Sequence, residues 1–110
     1  MSHPWREKRK YPRFRVCCPV SFISFDKLRL GETADISLGG MKIHCRSMLL
    51  KGETYEFTLV MNGRAISPTG RIVYLQSQPE FIYGAGVSFL YLSEEHHTQL
   101  HGFLTAQNRG

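Results

Sequence analysis

Short apolar stretches with a period of two run through the chain from residue 16 onward. Residues 16–25 (VCCPVSFISF) are rich in β-branched and aromatic side chains and predict a strand, in which Pro19 marks an edge or a bulge. Residues 28–35 (LRLGETAD) predict a weaker strand that contains a glycine. After the break at ISLGG, residues 41–45 (MKIHC) predict a third strand with three apolar side chains on one face: Met41, Ile43 and Cys45.

The second half of the chain predicts a hairpin and one more strand. Residues 54–61 alternate cleanly, and the apolar face carries Tyr55, Phe57, Leu59 and Met61. Asn62-Gly63 is the strongest short hairpin signal, and the return strand is expected over 65–75. A final strand begins at Phe81 and places Gly84 and Gly86 on one face, where a close approach or a bend is required.

The chain closes with the pattern of a helix over about 93–106. Ser93 can cap it, two glutamates suit its first turn, and a short apolar stripe follows at Leu100, Phe103 and Leu104. About six short strands followed by one helix predict a mainly β domain, namely an antiparallel barrel with a C-terminal α-helix.

Composition places these elements in one domain with a basic leader. The 110 residues are 42% hydrophobic and 12% aromatic, which is too apolar for disorder, and no apolar run approaches the ~18 residues of a membrane span. Residues 1–15 hold six basic side chains and one acidic one, so they carry the whole net charge of +5, and residues 16–110 are neutral. We therefore expect a flexible basic arm over 1–15 and a barrel over 16–110, in a cytoplasmic protein.

Cysteine and histidine positions give weak indications of chemistry. Cys17 and Cys18 are adjacent and would face opposite sides of a strand, and three cysteines do not form a disulfide framework. His97 and His101 have a spacing that can hold a metal, but a solvated helix face is the more common reason for it. We expect no metal site and no enzyme activity, because no acid–base pair or nucleophile constellation is present.

The segment DISLGG, residues 35–40, is the most unusual turn in the chain. Asp35 and Ser37 are two residues apart and project from one face of an extended backbone. Gly39 and Gly40 permit positive φ and leave room for a ligand against the backbone. An Asx or Ser turn that only joins two strands explains the same residues.

Two motifs together resemble a known family. Residues 9–13 (RKYPR) fit RxxxR, and residues 35–40 (DISLGG) fit [DN]xSxxG. In this order, with GRIVY at 70–74, YGAGVSF at 83–89 and the closing helix, they resemble the PilZ domain, a bacterial receptor module for cyclic di-GMP. The resemblance implies a six-stranded, split antiparallel β-barrel with a C-terminal helix, and ligand binding without catalysis.

The resemblance also implies roles for individual residues. Arg9 and Arg13 would hold guanine and phosphate from the arm, because an arginine fork matches guanine O6 and N7. Asp35 would accept hydrogen bonds from guanine N1–H and N2–H₂, Ser37 would bond phosphate or base, and the glycines would keep the surface flat. Lys8 precedes Arg9 at the position where a second, stacked ligand molecule would bind. The remaining candidates are Lys10 of the arm and Arg71 of the fifth strand, for which a plain surface arginine is an equally good interpretation.

Three classes of function stay open on these residues. A cyclic di-GMP receptor that moves its arm and signals to a partner protein is favoured. A PilZ-like adaptor with weak or no nucleotide binding is the first alternative. A small basic barrel that binds single-stranded RNA is the second, although such barrels display exposed aromatic side chains and the body here is neutral. No DNA partner is expected, because the basic residues do not spread over a face of the fold.

Overall fold

The computed structural model describes residues 11–79 and 82–107. These residues form eight strands and one helix. In chain order they are β1 (Pro19–Ser24), β2 (Lys27–Ile36), β3 (Gly40–Cys45), β4 (Thr54–Glu56), β5 (Thr58–Met61), β6 (Arg64–Ile66), β7 (Thr69–Gln78), β8 (Ile82–Tyr91) and α1 (Glu94–Gln107).

All described strands belong to one antiparallel sheet, in the order β4-β7-β8-β3-β2-β1-β5-β6. β4 lies at one edge of this sheet and β5 lies next to the other edge. Only Phe57 separates β4 from β5 in the chain, so the covalent connection forces the sheet to curl until its two ends approach each other. The result is a half-barrel, mainly β, with one C-terminal helix.

The strand count corrects the prediction of six strands. The predicted strand over 54–61 is interrupted at Phe57, and the predicted return strand is interrupted where Pro68 has no amide to donate. The two interruptions face each other, because Phe57 N donates to the Pro68 carbonyl oxygen at 2.9 Å. The hairpin therefore bends as a unit, and each bent strand appears as two short ones.

The core lies on the concave side of the curled sheet and follows the predicted alternation. Phe57, Leu59 and Met61 are buried, and Phe57 packs with two other rings at centroid distances of 5.4 Å (Phe22) and 5.9 Å (Tyr55). Tilted ring pairs of this kind stabilise a core beyond their buried area. The strand aromatics of this hairpin therefore serve packing.

The hairpin turns differ in their chemistry. Asn62 and Gly63 both have positive φ and join β5 to β6, as the sequence predicts. β1 and β2 are joined by Phe25 and Asp26, whose φ values of 53° and 61° also lie in the left-handed region. A phenylalanine is rare in this conformation, so the second turn contains local backbone strain.

The helix α1 closes the barrel through a few specific contacts. Ser93 Oγ accepts from His96 N at 3.1 Å, which is the predicted N-cap. Leu100 and Leu104 are buried, and His96 Nδ1 accepts from Ser67 N at 3.1 Å. Within residues 11–79 and 82–107, no helix is long and apolar enough to cross a membrane.

Candidate functional site

The segment before β1 is fastened to the sheet beside the end of β2. Phe14 and Ile36 form an isolated antiparallel bridge, in which each amide donates to the other carbonyl at 2.9 Å. Phe14 also packs against the core, and this holds the neighbouring Arg13, whose side chain is exposed, next to the turn after β2. Lys8, Arg9 and Lys10 lie outside the described residues.

Ser37 organises the turn between β2 and β3. Its hydroxyl accepts from Gly39 N at 3.1 Å and from Gly40 N at 3.2 Å, and it donates to the Gly40 carbonyl oxygen at 3.3 Å. Ser37 N donates to the same carbonyl at 2.8 Å, and the side chain is only 8% exposed. The hydroxyl thus acts as the organiser of a Ser turn.

The two glycines of this turn are needed for close contacts. Neither glycine has positive φ, so the backbone conformation of the turn is not what requires glycine at these positions. A Cβ on Gly40 would overlap the Val87 carbonyl oxygen of β8, and a Cβ on Gly39 would lie 2.8 Å from the Tyr11 ring. Phe89 N donates to the Gly39 carbonyl oxygen at 2.9 Å, which ties the turn to β8.

A pocket of about 590 Å³ opens on the convex side of the sheet between this turn, the N-terminal segment and the middle of β7 and β8. Its volume falls within the range typical of small-molecule sites. Five residues predicted from the two motifs line it together: Arg13, Asp35, Ser37, Gly39 and Gly40. The other lining residues are Tyr11, Met41, Lys42, Val73, Tyr74, Gly86, Val87 and Ser88.

Arg71 stands apart from this group. It is exposed on β7 and pairs with Ser88, which does line the pocket, but Arg71 itself is not among the lining residues. Its role in ligand binding stays a prediction.

Sequence reasoning missed four polar or aromatic lining residues: Tyr11, Lys42, Tyr74 and Ser88. Lys42 and Tyr74 are half-buried, and Tyr11 is 42% exposed with its ring against the Ser37 turn. The alternation of MKIHC does place Lys42 on the face opposite the core, which is a usable signal. No comparable signal identifies Tyr74, because the register of β7 changes immediately before it.

The lining chemistry combines two cations with one carboxylate. Arg13 stands at the rim, and Asp35 and Lys42 face each other across β2 and β3. This set suits an anionic ligand that also presents hydrogen-bond donors to a carboxylate. None of the described residues that line the pocket is a histidine or a cysteine.

The cysteines lie elsewhere and are free thiols. Burial raises the pKa of the Cys18 and Cys45 thiols, and a hydrogen bond to Glu32 raises the pKa of the exposed Cys17. A raised pKa lowers the thiolate fraction at neutral pH, so these thiols are poor nucleophiles. No group of three histidine, cysteine or acidic side chains able to hold a metal occurs in the described part of the chain.

A curled antiparallel sheet closed by one helix, with a charged pocket on its convex side, defines a small half-barrel domain. The PilZ domain family model matches residues 7–106, so the chain belongs to the PilZ domain family. No curated protein sequence matches the chain.

Solved structures share the fold at low identity. YcgR from Escherichia coli in complex with c-di-GMP has a TM-score of 0.80 and 18% identity, over 93% of this chain and 46% of that chain. The inhibitor of motility MotI/DgrA from Bacillus subtilis has a TM-score of 0.77 and 14% identity, over 92% and 50%. The PilZ domain of YcgR with c-di-GMP has a TM-score of 0.77 and 16% identity, over 93% and 92%. The chain thus spans about half the length of the first two proteins.

Proposed function

We propose that the chain is a receptor for cyclic di-GMP that binds its ligand in the 590 Å³ pocket without chemical conversion. The proposal rests on the observation that residues from both motifs line the same pocket. Arg13 comes from RxxxR, Asp35 and Gly40 come from [DN]xSxxG, and all three line one pocket. The c-di-GMP complexes of proteins with the same fold support the choice of ligand.

The chemistry of the ligand matches the lining residues. Cyclic di-GMP carries two phosphodiester anions and two guanines. The Arg13 guanidinium can hold guanine O6 and N7 with two parallel hydrogen bonds or clamp a phosphate. Asp35 is half-buried and offers an acceptor for guanine N1–H and N2–H₂. The amides of Gly39 and Gly40 are held in place by Ser37, which keeps the turn rigid while the ligand binds.

The arm supplies the second half of the site in this proposal. Arg9, Lys8 and Lys10 precede Tyr11, the first described residue that lines the pocket. Each residue that becomes ordered costs roughly 1–2 kcal/mol of backbone entropy, and each charge-assisted hydrogen bond returns about 1.5–3 kcal/mol. The bridge at Phe14 lowers this cost, because the chain next to Arg13 is fixed before ligand binds. Binding of a second, stacked nucleotide at Lys8 extends the proposal.

Signalling would follow from the position of the arm. In this proposal, ligand binding changes the conformation of the arm, and the arm and the convex side of the sheet form a new surface, which a downstream partner protein can recognise. A cytoplasmic location belongs to the same proposal.

Binding of single-stranded RNA is less well supported by the packing of the β4–β7 hairpin. An RNA-binding barrel uses exposed aromatic rings as stacking platforms. In the hairpin of β4 to β7, Phe57 is fully buried and Tyr55 is half-buried in the ring cluster with Phe22. These rings cannot serve as platforms without loss of the core.

Isothermal titration with cyclic di-GMP tests the proposal, with GMP and a short single-stranded RNA as competing ligands. We expect saturable binding of the cyclic dinucleotide alone, and the stoichiometry separates one bound molecule from a stacked pair. Arg13→Ala should weaken binding by about 100-fold, because two charge-assisted hydrogen bonds are lost.

Arg64→Ala is the matched control, because Arg64 is an exposed arginine on β6 that does not line the pocket. The melting temperature of ligand-free Arg13→Ala should equal that of the unsubstituted chain, since Arg13 is exposed. Equal affinity of the two arginine variants, or tighter binding of RNA than of the cyclic dinucleotide, would overturn the proposal.

A further inference from the structure

One row of side chains crosses the pocket floor over four strands. Asp35 on β2 pairs with Lys42 on β3, Lys42 pairs with Gly86 on β8, and Gly86 pairs with Tyr74 on β7. Residues directly opposite each other on antiparallel strands share a face of the sheet. All four members of this row line the pocket.

Two register shifts place the ends of this row on the convex side. Thr33 is buried and pairs with the buried Ile43, and a shift then occurs before Asp35 pairs with Lys42. Strict alternation from Thr33 would turn Asp35 toward the core, so the extra residue, Ala34, is what lets Asp35 face outward.

A second bulge has the same effect on β7. Ile72 is buried opposite Val87 in the core, and the next pair is Tyr74 with Gly86, so Val73 is the extra residue. The bulge turns Tyr74 away from the core and toward the pocket. Bulges at both ends of one row, each aiming a functional side chain at the same cavity, indicate a built site.

Gly86 determines how the Tyr74 ring lies. A Cβ on Gly86 would overlap the Tyr74 ring, so the ring occupies the space above the glycine. It thereby extends from β7 over β8 toward Lys42, which pairs with Gly86 from the other side. Neighbouring strands are about 5 Å apart, so carboxylate, ammonium group and ring follow one another across about 10–15 Å. A guanine and the phosphate attached to it fit this span.

We propose that Lys42 and Tyr74 bind the ligand: Lys42 holds a phosphate of the cyclic dinucleotide, and the Tyr74 ring stacks on a guanine whose donor edge meets Asp35. This assignment rests on the proposed function and adds two residues outside both motifs. It places positive charge on either side of the ligand, with Arg13 at the rim and Lys42 on the floor.

Titrations of cyclic di-GMP into four chains test the assignment: the unsubstituted chain, Lys42→Met, Tyr74→Leu and Tyr74→Phe. We expect Lys42→Met and Tyr74→Leu each to weaken binding by about tenfold, because a charge-assisted hydrogen bond or a base-stacking contact is lost. Tyr74→Phe should bind within about twofold of the unsubstituted chain, since the ring is kept. Lys42→Met should also reduce the dependence of affinity on salt concentration.

Matched controls come from exposed positions outside the pocket. Lys27→Met removes an exposed lysine at the start of β2, where β2 pairs with β1, and Tyr91→Leu removes an exposed tyrosine of β8. Both should keep the affinity of the unsubstituted chain. Upfield shifts of the Tyr74 ring protons on titration would report stacking directly, independent of affinity.

The outcomes separate the two proposals. If the unsubstituted chain binds no cyclic di-GMP, the proposed function fails and this assignment fails with it. If the unsubstituted chain and the control variants bind while Lys42→Met and Tyr74→Leu bind equally well, the proposed function stands and this assignment is overturned. If Tyr74→Phe loses as much affinity as Tyr74→Leu, the stacking role of the ring is overturned.

Discussion

β2 takes part in two very different regions of the molecule. Its first half pairs with β1 through six consecutive positions without a shift, and this hairpin exposes Ile23, Leu28 and Leu30 on its outer face. Its second half pairs with β3 across a bulge, and there the outer face carries Asp35 opposite Lys42. The β7–β8 pair has two register shifts, and the one between Ile72 and Tyr74 lies at the other side of the same pocket.

The difference shows how the strand register decides which side chains face the pocket. In a regular register, apolar side chains face the core and the other side chains face solvent, in alternation along the whole strand. A bulge adds one residue and lets the strand present a chosen side chain outward without disturbing the core pairs before and after it. In this chain, the bulges before Asp35 and Tyr74 coincide with the pocket, and the regular hairpin lies outside it.

The largest effect on stability and binding is expected at Gly40, where β3 approaches β8 closely. Gly40→Ala puts a methyl group against the Val87 carbonyl oxygen, so β3 and β8 must move apart. We expect a loss of about 1–3 kcal/mol in the free energy of unfolding, measured by urea denaturation, together with loss of cyclic di-GMP binding.

Gly102→Ala is the control for this change. A Cβ on Gly102, in the exposed face of α1, would meet no atom within 4 Å, so alanine there should stabilise the chain by about 0.5–1 kcal/mol. Equal stability of the two variants would contradict the close β3–β8 approach.

A smaller effect, confined to binding, is expected at the bulged side of the pocket. Gly86→Ala displaces the Tyr74 ring from its position above β8. We expect affinity for cyclic di-GMP to fall about tenfold by titration, as it would for loss of one stacking contact. Combining Gly86→Ala with Tyr74→Leu should cost little more than either change alone, because both remove the same ring contact. Additive losses would show that the glycine acts independently of the ring.

Ser37→Ala should weaken the turn between β2 and β3 without removing an apolar side chain from the core. The two amides that the hydroxyl accepts from, those of Gly39 and Gly40, lose their partner. The expected cost is about 1 kcal/mol in unfolding free energy and a severalfold loss of affinity. Faster hydrogen exchange at the Gly39 and Gly40 amides would be the direct readout. Unchanged exchange would mean that the turn is held by its backbone alone.

Substitutions in the turn of the β1–β2 hairpin should change the stability of the chain and leave ligand binding unchanged. Replacing Phe25 by asparagine and Asp26 by glycine puts the preferred residues at two positions with positive φ. We expect the free energy of unfolding to rise by about 1 kcal/mol in urea denaturation, because the strained turn is relieved. The dissociation constant for cyclic di-GMP should stay within about twofold. A large change in affinity would mean that the β1–β2 hairpin and the pocket are energetically coupled.

The sequence predicts the regular parts of this molecule well, for physical reasons. Burial on one face of a strand imposes alternation, which is visible in Phe57, Leu59 and Met61, and the Asn62-Gly63 turn has its own signature. Ser93 is predicted as the cap of α1 and acts as one. The six-strand count failed because the bend at Phe57 and Pro68 depends on barrel closure, which local alternation does not report.

The candidate site is predictable only where a motif marks it. Asp35, Ser37 and the two glycines are found through their pattern, and the structure brings them together with Arg13. Tyr74 escapes detection because a bulge breaks the alternation just before it, and nothing in GRIVY shows which residue is the extra one. The glycines of the turn were expected to allow positive φ, but they are required by contacts with Val87 and Tyr11 that only the folded chain creates.

The most direct test of the account follows backbone amides during a titration of the unsubstituted chain with cyclic di-GMP. We predict that the amides of Asp35, Gly40, Lys42 and Gly86 shift in saturable fashion while those of the β1–β2 hairpin, such as Ile23, do not move. If the hairpin amides shift at saturation and the four pocket amides remain in place, the pocket between the two bulges is not the binding site.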